Sequence, residues 1–265
     1  MEEIDKKHQL KYLIFAHERS GSSTLLKIFN LHPQIKLIGE PFHRNYLTPR
    51  KDFYINTNNE DKIEISTLEN LKLALNLIAN EFNGFKHVFR HLNYEANNYL
   101  LIESGMKPVF LQRKNLLQVV ISSSISGNMK DWGGVPLKWK EQFKKQKFEP
   151  LDIEKIKKRI KKLKQQIEEY KRNLNSNKTE YYNLCYEDLY GKDISEMEKI
   201  KIINKIFDFW NIEPLKDKES IKRMKEFFNP NQYKLNSKKT YKQIPNIQEI
   251  EEKLGSDETG WLFQD

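Results

Sequence analysis

Residues 12–26 read Tyr12-Leu-Ile-Phe-Ala-His-Glu-Arg-Ser-Gly-Ser-Ser-Thr-Leu-Leu26. The run Tyr12–Ala16 is short, apolar and rich in β-forming residues, which fits a buried strand. His17–Thr24 is polar and holds a glycine. From Leu25 to Leu31 apolar residues recur on one helical face until His32-Pro33 stops the pattern. The stretch therefore predicts strand, tight turn, helix. A glycine in such a turn lets the backbone bend sharply with its N–H groups exposed. A helix N-terminus adds unpaired donors and a partial positive charge, and Arg19 adds a permanent cation. Ser22, Ser23 and Thr24 are candidate helix caps and anion donors. Together these residues predict a phosphate cradle. GxxxxGK[ST] is absent, so a standard ATP- or GTP-binding loop is disfavoured.

Outward from this loop the pattern repeats. Ile35–Ile38 is a second strand candidate, ending in Gly39-Glu-Pro-Phe42. Leu68–Phe82 carries apolar residues at helical spacing. Phe85–Phe89 predicts a strand and Tyr94–Ile102 a short helix. Pro108–Leu111 predicts a buried strand leading into Gln112-Arg-Lys-Asn115 and a helix from Leu116 to about Ser126. Residues 127–150, with their glycines, prolines, Trp132 and Trp139, read as a long excursion. Between 152 and 174, Ile153, Ile156, Ile160, Leu163, Ile167, Tyr170 and Leu174 define an amphipathic helix with one narrow seam. Tyr181–Tyr186 predicts a strand and Glu196–Trp210 a helix. Alternating strands and helices predict one α/β domain over 1–265, with a mainly parallel sheet flanked by helices.

Composition narrows the classes. The 265 residues have a mean hydropathy of −0.78 and a formal net charge of +9. Lysine dominates: there are 38 Lys and only 8 Arg, so each arginine is the more informative residue. No apolar run approaches the roughly 20 residues of a membrane span. The N-terminal stretch lacks the apolar core of a signal peptide. The lone Cys185 rules out an internal disulfide framework or a zinc cluster, and reads as a buried small residue. A cytoplasmic protein is the expectation. Residues 151–178 carry 10 Lys+Arg against 4 Asp+Glu, and residues 216–242 carry 9 against 3. Each segment is net +6, which leaves the remainder at −3. The first excess reads as a solvated helix face or a site for an anionic acceptor.

Four stretches together resemble the sulfotransferases that use 3′-phosphoadenosine 5′-phosphosulfate (PAPS). Residues 12–26 are similar to that family's phosphosulfate-binding loop. Gly39-Glu-Pro-Phe42 resembles the short motif that follows the loop's helix in many carbohydrate sulfotransferases. Phe110-Leu-Gln-Arg-Lys-Asn-Leu-Leu-Gln-Val-Val-Ile-Ser122 resembles the 3′-phosphate motif, and Tyr186-Glu-Asp-Leu-Tyr190 resembles a stretch of the bacterial members. The matches fall in the family's order over roughly residues 10–215, closer to the bacterial and carbohydrate types than to the cytosolic phenol type. The resemblance implies a P-loop-kinase-like sulfotransferase fold. It also implies a nucleotide-binding transferase that moves a sulfuryl group from PAPS to an acceptor hydroxyl and releases 3′,5′-ADP, with no metal. No His/Asp/Glu cluster shows ligand spacing either.

By position, the resemblance gives Arg19 the 5′-phosphosulfate and leaving oxygen, and Ser20, Gly21, Ser22, Ser23 and Thr24 the loop and helix start. Arg113 and Ser122 fall on the pair that holds the 3′-phosphate. Their spacing is nine where many members have eight, and Lys114 is eight from Ser122, so the cation is Arg113, Lys114 or both; Ser123 and Ser124 are alternative hydroxyls. The planar fork of Arg113 suits phosphate better. Lys238 and Lys239, with Lys234 and Asn236, lie where the family closes a basic stretch over the nucleotide. Glu40 falls on the base carboxylate, with His43 and His17 as alternatives, and it precedes a proline, which predicts extended backbone. His87 and His91 read as structural. The acceptor is a small-molecule or carbohydrate hydroxyl of open identity, with no nucleic-acid partner and no membrane span; the oligomeric state stays open. The alternatives are a nucleotide or small-molecule kinase with a degenerate phosphate loop, and a basic nucleic-acid-binding protein.

Overall fold

The computed structural model describes residues 9–47, 63–127, 147–191, 193–229 and 238–263. Trp132, Trp139, Lys234 and Asn236, and most of the 127–150 excursion, lie outside the described residues. The chain divides into two compact units, one of Met1–Gln112 with Tyr170–Phe228, the other of Arg113–Glu169 with Asn229–Asp265.

The first unit is α/β. Its sheet comprises β1 (Tyr12–Ala16), β2 (Leu37–Gly39), β3 (Gly84–Val88), β4 (Lys107–Gln112) and β5 (Tyr182–Cys185). All pairs are parallel, in the order β2-β3-β1-β4-β5. The helices are α1 (Ser22–Phe29), α2 (Leu68–Ala79) and α3 (Tyr94–Asn98); after α4 and α5, described below, come α6 (Tyr186–Tyr190), α7 (Glu196–Phe209) and α8 (Lys218–Phe227). The strands therefore match the expected ones to within a residue or two. The helix expected over Tyr94–Ile102 ends early instead: α3 gives way to a π-helical turn at Tyr99–Glu103.

β1 is central and buried at all five positions, as a strand covered on both faces must be. Its side chains alternate between two apolar layers. Tyr12, Ile14 and Ala16 pack with Leu25, Ile28 and Phe29 of α1 and with Phe207 and Trp210. Trp210 stands 4.8 Å from the Tyr12 ring and 4.6 Å from the Phe29 ring. On the other face Phe15 meets Phe89, Phe110 and Tyr170 at 5.6, 5.6 and 5.2 Å. Asn97 ties that layer together: it donates to Phe89 O, Leu92 O and the Tyr170 hydroxyl and pairs with His87 Nε2 at 2.8 Å.

The order places the site. β1 leads through α1 to the sheet edge at β2, whereas the chain leaving β3 passes to β4 on the other side of β1. The carboxyl end of β1 is thus where connections diverge, the place at which open parallel sheets receive ligands.

The second unit holds α4 (Leu116–Gly127), most of the basic helix α5 (Ile153–Ser176), α9 (Lys238–Tyr241) and α10 (Ile247–Leu254). The expected seam of α5 is buried at Ile156, Ile160, Ile167, Tyr170 and Leu174. The chain end is pinned by Glu251, whose carboxylate accepts the Leu262 and Phe263 N–H groups, and by Asn115 and Gln118, which donate to Trp261 O. Among the described residues no helix is long and apolar enough to cross a membrane.

Candidate functional site

The turn after β1 is built on two residues with positive φ, Arg19 (61°) and Gly21 (86°). Between them Ser20 is fully buried, and its hydroxyl donates to His17 O at 2.8 Å. Gly21 is the N-cap of α1, and its carbonyl accepts the N–H groups of Thr24 and Leu25. No side chain caps the helix. The expected capping by Ser22, Ser23 or Thr24 is therefore corrected: these residues lie inside the first turn, one position or more past the cap. A Cβ on Gly21 would sit 2.9 Å from Tyr186 Cδ2 and 3.1 Å from Tyr190 Cε2. Glycine is required here by the left-handed backbone and by this close approach. Burial pushes the Tyr190 phenol far above its usual value, with Thr24 as its polar neighbour on α1.

Glu40 stands one residue past β2, where Gly39 pairs with Lys86 and the Glu40 N–H donates to Lys86 O at 2.8 Å. Its backbone is not extended as the following proline predicted; φ is 50°. The left-handed bend brings its carboxylate onto three side chains. Lys86 Nζ donates to Oε1 and also to Ser23 Oγ at 3.2 Å. His91 Nε2 lies 3.5 Å and His43 Nδ1 3.9 Å from Oε2. Burial would raise the Glu40 pKa, but the hydrogen bond from His91 and the charge and hydrogen bond of Lys86 outweigh it. The carboxyl is held well below the usual carboxylate range.

Lys86 is 3% exposed, inside a strand buried at every position. A lysine is almost never so placed without a partner. Its ammonium links the first turn of α1 to Glu40, so the loop and the carboxylate share one cation. Lys86 escaped the sequence reading; its signal was a charge in the middle of the apolar run Gly84–Val88. His91, expected to be structural, belongs to the Glu40 cluster. His87 fits that expectation: burial depresses it to about 3 despite the Asn97 hydrogen bond, so it is a neutral core residue. His17 is buried, with Nδ1 2.7 Å from Glu18 O. It packs at 6.3 Å from Phe89.

Glu40, His43 and His91 bring one ligand-type atom each to within 4.8 Å, a trio that sequence spacing did not reveal. Two contacts weigh against metal ligation. The Arg44 N–H points at His91 Nδ1 from 3.4 Å, which leaves the ring proton on the Nε2 that faces Glu40. The Lys86 ammonium also already neutralises the carboxylate. The group is a hydrogen-bonded charge cluster.

In the second unit Arg113 and Ser122 are both buried. Arg113 donates to Gln118 Oε1. Arg159, on α5, donates through its two terminal nitrogens to Ser123 and Ser124, each at 2.9 Å. The sequence reading passed over Arg159 because it lies among the lysines of a solvated face. The two fallback hydroxyls, Ser123 and Ser124, are thus engaged by a cation of this chain. Lys114 is exposed. Lys238 begins α9 and donates to Phe263 O at 2.6 Å, and Lys239 follows it.

Compared with known proteins, the chain matches no family model, no curated protein and no solved structure.

Proposed function

We propose that the protein is a PAPS-dependent sulfotransferase. The observation that carries the proposal is the turn at the carboxyl end of β1, where a left-handed glycine opens α1 and the Lys86 ammonium lies on Ser23 and Glu40 at once. This combination suits a ligand that presents an anion to the helix start and a hydroxyl beside a carboxylate.

In this reading the 5′-phosphosulfate lies on Ser20–Thr24 with Arg19, and the resemblance assigns the 3′-phosphate to Arg113 and Ser122, with Lys238 and Lys239 as further cations. The acceptor oxygen attacks sulfur, the S–O bond to phosphate breaks, and its electron pair leaves on 3′,5′-ADP. Arg19 and Lys86 offset the charge that develops on the leaving oxygen. Glu40 receives the acceptor proton. Positioning and fixed charge do most of the work, as in phosphoryl transfer. An open parallel sheet of this order equally suits a kinase, but the turn lacks the lysine that an ATP-binding loop requires.

Calorimetry with 3′,5′-ADP and 5′-AMP tests the proposal. Tighter binding of 3′,5′-ADP without added metal is expected. Equal affinities, or no binding of either, reject it.

A further inference from the structure

The Glu40 carboxylate is divided between two jobs. Oε1 takes the Lys86 ammonium, and Oε2 faces His91 at 3.5 Å and His43 at 3.9 Å. The two imidazoles stand 4.6 Å apart, tilted by 56°. They differ in exposure: the His91 side chain is 6% exposed, the His43 side chain 41%. His91 presents Nε2 to the carboxylate and its other nitrogen to the Arg44 N–H, so it orients Glu40.

A carboxylate kept this firmly ionised by its neighbours is a poor place for a proton to rest, because proton transfer is efficient only when donor and acceptor are matched. A path for the proton out of the site therefore needs a second base. His43 is the exposed imidazole of the cluster, and its Nδ1 faces the same oxygen.

We propose that His43 is the terminal proton acceptor of the site and acts through Glu40. The inference rests on the sulfotransferase reading. As the acceptor oxygen bonds to sulfur, its O–H bond breaks and the proton moves to Glu40 Oε2, then to His43 Nδ1. The imidazolium releases it to water. Glu40 ends as it began, a carboxylate paired with Lys86. His43 touches no substrate in this scheme and is a positioning residue for the proton. Among the described residues, the charged and titratable groups on its own segment and on β3 and the turn after it include Glu40 and Arg44, His91 and the Glu18-paired Arg90, and Lys86 and His87.

Ring-nitrogen NMR titration of the histidines tests the coupling in the full chain. An adjacent carboxylate favours the imidazolium, so the His43 midpoint is expected to drop by about one pH unit in Glu40→Gln, the low end for a charge at this distance because the ring is exposed. An unmoved His43 midpoint overturns the proposal. So does stoichiometric Zn2+ binding that His43→Gln abolishes, because the three side chains would then be metal ligands. Release of 3′,5′-ADP from PAPS, with water as acceptor, supplies the functional readout. In His43→Gln the release is expected to slow at least tenfold and to lose its rise with pH, while 3′,5′-ADP affinity stays the same; an unchanged rate and profile overturns the relay. If neither 3′,5′-ADP binding nor release occurs in the wild type, the sulfotransferase reading and the relay's role in it both fall. The NMR shift reports separately whether Glu40 and His43 are coupled.

Discussion

Replacing Lys86 by methionine removes a positive charge while keeping most of the side-chain volume. Lys86 is 3% exposed and the Glu40 side chain 23%. Breaking a fully buried ion pair by deleting one partner costs about 3–5 kcal/mol, chiefly from the charge left behind. Glu40 keeps some contact with water and retains His91, so the expected loss is about 2–3 kcal/mol. Glu40→Gln leaves the buried ammonium without its counter-charge and is expected to cost a similar amount. The double variant leaves no orphaned charge, so its cost should fall short of the sum by about 1–2 kcal/mol. Equilibrium urea unfolding of the four proteins at neutral pH gives the cycle. A pH series adds a second check. The folded-state pKa of Glu40 is depressed from the unfolded value of 4.5. Its contribution is therefore fully present above pH 4.5 and is lost as pH falls below that value. Wild-type stability should decline more steeply below pH 4.5 than that of Glu40→Gln. Losses that add to within about 0.5 kcal/mol, or acid slopes that coincide, would refute the account of Lys86 and Glu40 as one coupled pair.

Three further outcomes follow from the geometry. Gly21→Ala should cost about 1–3 kcal/mol from the forced left-handed backbone alone, with the Tyr186 ring displaced as well, and should weaken 3′,5′-ADP binding; thermal melts and calorimetry read the two effects. Arg113→Ala should weaken 3′,5′-ADP at least tenfold and leave 5′-AMP unaffected, whereas Arg113→Lys should restore only part of the loss because a point charge does not replace a fork. Asn97→Leu removes all of the side-chain bonds that knot Phe89, Leu92, Tyr170 and His87 together; a loss of about 2–3 kcal/mol in urea unfolding is expected.

The strand frame was legible because β1, β3 and β4 are apolar runs short enough to be strands and are separated by helical repeats. Gly21 was legible as well, since a polar turn between strand and helix needs a residue free to take positive φ. The conformation of Glu40 was not. A following proline is a local steric bias, whereas the bend at φ 50° comes with bonds to Lys86 and His91, residues 46 and 51 positions further on. The same distance hid the cluster of Glu40, His43 and His91, which exists only because Gly39 pairs in register with Lys86. Arg159 was hidden by composition: among many lysines on one face, nothing local marks the arginine whose side chain turns to Ser123 and Ser124.

The order of the sheet has a consequence for how the chain reaches its structure. Tyr12 pairs with Gly84 on one side and with Lys107 on the other. The most apolar strand is made before either of its partners and has none until about 70 further residues have followed. Both of its ladders close long loops, whose entropy must be met before the pairing rewards it, so folding is expected to be slow for a chain of this size. Until then Tyr12–Ala16 is an exposed, uncharged β-forming segment that invites pairing with other chains. The charged residues on either side of it, Lys11 before and Glu18 and Arg19 after, stand where gatekeepers against such pairing are useful.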